Sequence, residues 1–107
     1  MAKRGSVKII ILPSAKIDLK EIVNFIAKGS PKFAQLEKFL IIEAIEKLFD
    51  FPDLGKPFDY KSVNARQLIF KNYLIIYRQK TESILEILTI HHHSRLITNN
   101  PAFKPEE

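Results

Sequence analysis

Apolar residues recur along this chain in changing rhythms. Ser6–Leu12 (SVKIIIL) is a β-branched run closed by Pro13, which predicts a largely buried strand. From there the period lengthens. Ala15, Leu19, Ile22, Val23 and Ile26 repeat at helical spacing, while Lys16, Asp18, Lys20 and Glu21 take the wet side. Ser14 stands where an N-cap hydroxyl would accept from a first-turn amide, and Gly29 where a left-handed residue would end the helix. Ser30-Pro31 restarts the pattern with a cap followed by proline at the first helical position. This second helix is expected to reach about Phe49, with Phe33, Leu36, Leu40, Ala44 and Leu48 as its apolar ridge and Ile41 and Ile45 widening it. Only Gly29 and Ser30 separate the helices, so they must fold back as an antiparallel hairpin.

The rhythm then shortens to that of strands. Phe51–Val63 (FPDLGKPFDYKSV) is broken by Pro, Gly and Asp and reads as a crossing loop. Ala65–Phe70 and Tyr73–Gln79 flank Lys71-Asn72, a two-residue turn in which Asn would take the positive φ. Ser83–Ile90 follows a turn at Lys80–Glu82. The predicted fold is α+β in two layers, ordered β-α-α-β-β-β, with the helical hairpin on one face of a mainly antiparallel sheet. The other face, concave through sheet twist and uncovered, is the expected place for function. Residues 1–96 read as one domain, and 97–107, polar and broken by Pro101 and Pro105, as a tail.

Composition narrows the classes of function. At 107 residues and 46% hydrophobic content the chain can bury a core, and with no Cys it offers neither disulfides nor thiolate metal sites. Its apolar runs are far shorter than the roughly 20 residues a membrane helix needs. No signal peptide is visible, and a cytoplasmic, membrane-free protein is expected. The net charge is +5, unevenly spread. Between Ser14 and Asp50 lysines and acids balance, and the excess lies in Lys3, Arg4, Lys8 and the half after Gly55. A basic sheet half beside a neutral helical half suits an anionic partner.

The candidate chemistry is cationic. Arg66, Lys71, Arg78 and Arg95 join His91-His92-His93 in the sheet half. There is no Gly-rich phosphate loop and no nucleophile motif, so nucleotide-dependent and hydrolase-triad chemistry are excluded and no cofactor is expected. Along a strand His91 and His93 share one face and His92 the other, and no Cys or nearby acid completes a metal site, so none is predicted. The histidines are open to a structural role or to proton transfer and phosphate contact. Arg66 and Arg95 read either as surface charges at strand ends or as phosphate clamps. Tyr73 and Tyr77 share a face, which implies sheet packing, with base stacking as the alternative.

These residues form a familiar series. Ala15, Asp18, Leu19, Ile22 and Ile26 are followed by Ala34, then by Leu48, Pro52, Gly55 and Pro57 spaced as L-x3-P-x2-G-x-P. Arg66, Leu68, Tyr73, Tyr77 and an Ile84–Ile90 strand ending in His92 and Arg95 complete it. Over about residues 7–96 the chain resembles the RelE/ParE superfamily of toxins from type II toxin–antitoxin systems, the plasmid-stabilisation class. The resemblance implies a small basic growth inhibitor held silent by an acidic antitoxin. RelE-like members cleave messenger RNA on the ribosome and ParE-like members poison DNA gyrase. RelE-like members commonly carry arginine where this chain has Leu74, and a late tyrosine or histidine for which His92 or His93 would stand in. The departure at Leu74 places the chain closer to the ParE-like branch, with gyrase as the implied target. The alternatives are a metal-independent ribonuclease using Arg66, Arg95 and His92 or His93, and a degenerate member that only binds its partner. Lys71, Tyr73 and Arg78 are the candidate target or phosphate contacts.

Overall fold

The computed structural model describes residues 7–92; the calls on Ser6, His93, Arg95 and the 97–107 tail fall outside them. Strand β1 (Lys8–Ile11) leads into helices α1 (Pro13–Ala27) and α2 (Pro31–Glu46), the latter extended by a 3-10 turn at Lys47–Phe49. Four strands follow: β2 (Lys56–Tyr60), β3 (Val63–Phe70), β4 (Tyr73–Thr81) and β5 (Ile84–His92). Sheet order is β1-β5-β4-β3-β2, an antiparallel meander with β1 added parallel to β5 at one edge. The expected two-layer α+β arrangement is present, with one strand more than the sequence suggested.

That strand, β2, lies inside the stretch read as a loop. It pairs with β3 from Lys56↔Gln67 to Tyr60↔Val63, and Pro57 is tolerated because β2 is an edge. Lys61 and Ser62 close this hairpin, both at positive φ (50° and 68°), the mirror-image turn that usually needs Asn or Gly. In the next hairpin the positive φ belongs to Lys71 (54°), not Asn72. The last turn is one step later than expected, because Thr81 still pairs with Ile84.

Local signals at the helix ends also resolve differently. Leu12 is the N-cap of α1 with Pro13 at its first position, and Ser14 instead donates its hydroxyl proton to Leu88 O at 2.6 Å. Gly29 is not left-handed. Helix α1 ends because Ser30, forced extended (φ −160°) by the following Pro31, cannot continue it. Ser30 does cap α2, accepting from Phe33 N at 3.0 Å.

The core lies between the helices and the sheet. Ala15, Leu19 and Ile22 of α1 and Ile41, Ala44, Ile45 and Leu48 meet Tyr73, Ile75, Tyr77, Leu85, Ile87 and Ile90. Each fully buried aliphatic side chain there contributes about 1.5–3 kcal/mol. The buried stripe of α2 is Ala34, Glu37, Ile41, Ala44 and Ile45. Its second half, with Leu48, is as expected, and its first two turns are one residue out of phase, burying Ala34 and Glu37 in place of Phe33 and Leu36. Phe33 and Leu36 therefore stand about half exposed, beside Phe39 at 61%.

Where β1 stops, α1 takes over the edge of β5. Leu12 N bonds Ile87 O at 3.1 Å, Ser14 bonds Leu88 O, and Asp18 accepts from Ile90 N at 3.1 Å and Thr89 Oγ1 at 2.5 Å. Backbone groups that a longer β1 would have paired are thus satisfied by side chains.

Candidate functional site

Two polar clusters anchor the ends of β4. At its C-terminal half, Tyr77 is fully buried, accepts from Gly55 N at 2.8 Å and donates to Pro52 O at 2.7 Å. Arg66, the register partner of Tyr77, donates to Gly55 O at 2.6 Å and Asp53 O at 3.5 Å, with the Asp53 carboxylate 3.8 Å away. Burial pushes the Tyr77 phenol up, so it stays a neutral donor. Gly55 is required for space: a Cβ there would lie 2.8 Å from Gln67 O and from the Tyr77 ring. The spacing of Pro52, Gly55 and Pro57 in the sequence is thus the footprint of a loop fastened to the sheet.

At the other end, Glu37 of α2 is 3% exposed and accepts from Lys71 Nζ at 2.7 Å and Tyr73 Oη at 2.9 Å. Burial alone would raise its pKa, but the bonds from Lys71 and Tyr73, helped by the charges of Lys71 and His92, outweigh this and hold it below the usual carboxylate range. Burial first, and donation to Glu37 second, push the Tyr73 phenol well up. His92 pairs with Tyr73 across the strands and meets its ring edge-on, centroids 5.2 Å apart. The positive φ of Lys71, a strained state for lysine, coincides with the short bond that carries its ammonium to the buried carboxylate.

The candidate cations are therefore dispersed. Tyr77 and Tyr73, which neighbour Arg66 and His92 respectively, stand four residues apart on β4, about 13 Å along the strand. Arg66 holds a loop and His92 borders the Glu37 cluster. Tyr73 is 3% exposed, so an outside target reaches it only if that cluster opens. Both tyrosine rings lie in the core and present no face for base stacking. His91 pairs with Leu74 on the opposite face from His92. Among the described residues no three His, Cys, Asp or Glu side chains gather as a metal site.

The face turned away from the helices is not a bare basic groove. Its centre, expected to be uncovered, is a second buried apolar cluster: Ala65, Leu74 and Ile76 are each at most 8% exposed, because Phe58, Tyr60 and Leu88 pack against them. At its end Arg78 donates from Nε to buried Glu86 at 2.9 Å, and Lys80 lies 3.7 Å from the same carboxylate. An open depression of about 550 Å³ beside it mixes Asp53 and Asp59 with Arg66 and Arg78. Cleaving RNA through the 2′-hydroxyl needs cations around the scissile phosphate with a base and an acid in line. The middle of this face is buried aliphatic carbon and presents none of these groups.

What sequence reading missed is apolar and exposed. On the helical hairpin Phe25, Phe33, Leu36 and Phe39 are about half exposed or more, among the exposed lysines Lys28, Lys32 and Lys38. Around the fastened loop Phe49, Phe51 and Leu54 are exposed beside Asp50 and Asp53. The phase shift of α2 hid the first patch, since Glu37 reads as a surface acid until Lys71 and Tyr73 are seen to reach it. No helix among the described residues is long and apolar enough to cross a membrane.

Two helices laid on a five-stranded sheet, with a loop locked by Tyr77, define the class. Residues 9–97 match the family model described as the ParE toxin of the type II toxin–antitoxin system, parDE, and the chain belongs to that family. In fold it is similar to a chain of the chromosomal ParDE toxin–antitoxin system from P. aeruginosa, at 19% identity and TM-score 0.70, covering 82% of this chain and 97% of that one. It is also similar to a chain of the RelBE2 toxin–antitoxin complex from Mycobacterium tuberculosis, at 19% identity and TM-score 0.59, covering 81% and 98%. No curated protein sequence matches it.

Proposed function

We propose that this toxin arrests growth by binding a protein target, DNA gyrase, in the cytoplasm, and does not cut messenger RNA. The observation that carries this reading is the apolar cluster of Ala65, Leu74 and Ile76, buried under Phe58, Tyr60 and Leu88 at the centre of the sheet face turned away from the helices. A nuclease of this fold would need charge there, and Arg78 and Lys80 at the margin are drawn to Glu86. Separation of Arg66 from His92 argues the same way. Gyrase as the target comes from the ParE-like resemblance.

The same reading includes an acidic antitoxin. The half-exposed Phe33, Leu36 and Phe39, set among Lys28, Lys32 and Lys38, suit an amphipathic acidic segment laid along α2. Its apolar side would cover the phenylalanines and its carboxylates would meet the lysines. Such a partner serves plasmid stabilisation or its chromosomal equivalent by keeping the toxin silent.

Induction of the chain in cells without an antitoxin tests the proposal. The expected result is growth arrest with DNA breaks, an SOS response and intact messages. Discrete cuts in coding regions that vanish in His92→Ala or Arg95→Ala would establish the nuclease reading instead. Normal growth would leave only a partner-binding role.

A further inference from the structure

We propose that the loop Phe49–Gly55 is the prong by which this toxin docks on its protein target, inserting Phe51 and Leu54 into an apolar cleft rimmed by Lys or Arg. The inference rests on the reading that the target is a protein, and it names the surface that reading leaves unassigned.

Three features converge on this loop. The first is exposure: Phe51 is 63% exposed, Leu54 48% and Phe49 42%, within six consecutive residues. The second is rigidity. The loop backbone is held at Pro52 and Gly55 by the buried Tyr77 hydroxyl and at Asp53 and Gly55 by Arg66, and its own turn is closed by Leu54 N to Phe51 O at 3.0 Å. An apolar loop with no role would gain little from being fastened so thoroughly to the sheet. A binding loop gains affinity, because a segment already ordered loses little entropy on docking. Exposed aromatic and aliphatic side chains on such a frame have the makings of interface anchors.

The third feature is charge. The stretch FDFPDLG holds Asp50 and Asp53; Arg66 faces the Asp53 carboxylate at 3.8 Å, and exposed Lys47 and Lys56 flank the stretch. Asp50, exposed and in no ion pair among the described residues, therefore carries its free negative charge. The hairpin patch of Phe33, Leu36 and Phe39 has exposed Lys32 and Lys38 on the same turns of α2, with exposed Glu43 further along the helix. An acidic segment meets lysines on the hairpin and a free carboxylate at the loop, which separates the partners that the two apolar surfaces suit. The cleft that receives the loop therefore presents a Lys or Arg at its rim, opposite Asp50.

The test compares the full chain with Phe51→Ser/Leu54→Ser and, separately, Asp50→Lys. These side chains are exposed, so folding is expected to survive, and thermal melting checks it. Gyrase inhibition and growth arrest are measured by dose, and antitoxin affinity in parallel. The double variant is expected to need roughly tenfold more protein for the same effect, Asp50→Lys several-fold more, with antitoxin affinity unchanged within about twofold. Phe51→Leu should retain most of the effect, because it keeps an apolar anchor. Undiminished potency of the double variant overturns the proposal, as does an equal loss of antitoxin binding, which would give the loop to the antitoxin. If the wild-type chain arrests growth without acting on gyrase, the gyrase assignment fails alone, and the prong stands or falls on growth arrest by the variants. Message cleavage or a chain without toxicity overturns both.

Discussion

The hydroxyl of Tyr77 accepts the amide proton of Gly55 at 2.8 Å, joining the middle of the sheet to the end of a loop 22 residues earlier. Because the same hydroxyl donates to Pro52 O, one buried oxygen satisfies two backbone groups that no strand or helix pairs. Tyr77→Phe would strand both. Buried polar groups left unpaired cost about 1–3 kcal/mol each, so a loss near 2 kcal/mol is expected by chemical denaturation. Gly55→Ala is expected to be as damaging for a steric reason, since its Cβ would sit 2.8 Å from Gln67 O, which is backbone and cannot swing aside. A melting temperature unchanged in both variants would contradict this account of the loop.

Acid should release the α2 anchor. The carboxyl of Glu37 is held below its usual range in the folded chain, so its ionised bonds stabilise the protein above the unfolded value of about 4.3 and are lost as pH falls through the lower folded value. Glu37→Gln is expected to cost about 1–2 kcal/mol near neutral pH, the low side of the range for charged hydrogen bonds, because Lys71 remains 44% exposed to water. The gap between wild type and variant should close as pH is lowered below the ordinary carboxylate range. Denaturation curves at several pH values check this, and a gap that widened on acidification would reverse the sign assigned to the carboxyl.

Antitoxin binding should respond to both charge and apolar area on the hairpin. Phe33→Ser/Phe39→Ser removes side chains that are 49% and 61% exposed, so stability should stay within about 0.5 kcal/mol while affinity falls roughly tenfold. Affinity should also weaken with added salt, because screening acts on exposed charges such as Lys32 and Lys38. Calorimetry at two ionic strengths decides it. Affinity indifferent to salt would assign the contact to apolar packing alone.

The layers were legible in the sequence because helical and strand periodicities are read directly from apolar spacing. Strand β2 was not. Pro57, Asp59 and a Lys61-Ser62 turn lacking Asn or Gly carry loop chemistry, and only pairing with β3 makes a strand of them. The second half of the α2 ridge, from Ile41 to Leu48, was legible, but the phase of its first two turns was hidden, since Glu37 is drawn inward by Lys71 and Tyr73, which lie more than thirty residues later. For the candidate site, the sequence listed the cations but could not say that Arg66 would be spent on a loop and Arg78 on Glu86. Leu74 was the informative position, because its apolar character marked the sheet face that lacks charge.

The central claim is that the sheet face turned away from the helices, apolar and buried at its centre, cannot host RNA chemistry and that the toxin acts on a protein. Incubating the purified chain with gyrase and supercoiled DNA, then denaturing the enzyme, measures it most directly. Linear DNA covalently trapped on gyrase, appearing only with the toxin and suppressed by an acidic antitoxin, is the predicted result. Unaffected gyrase together with site-specific cleavage of messenger on translating ribosomes would contradict it.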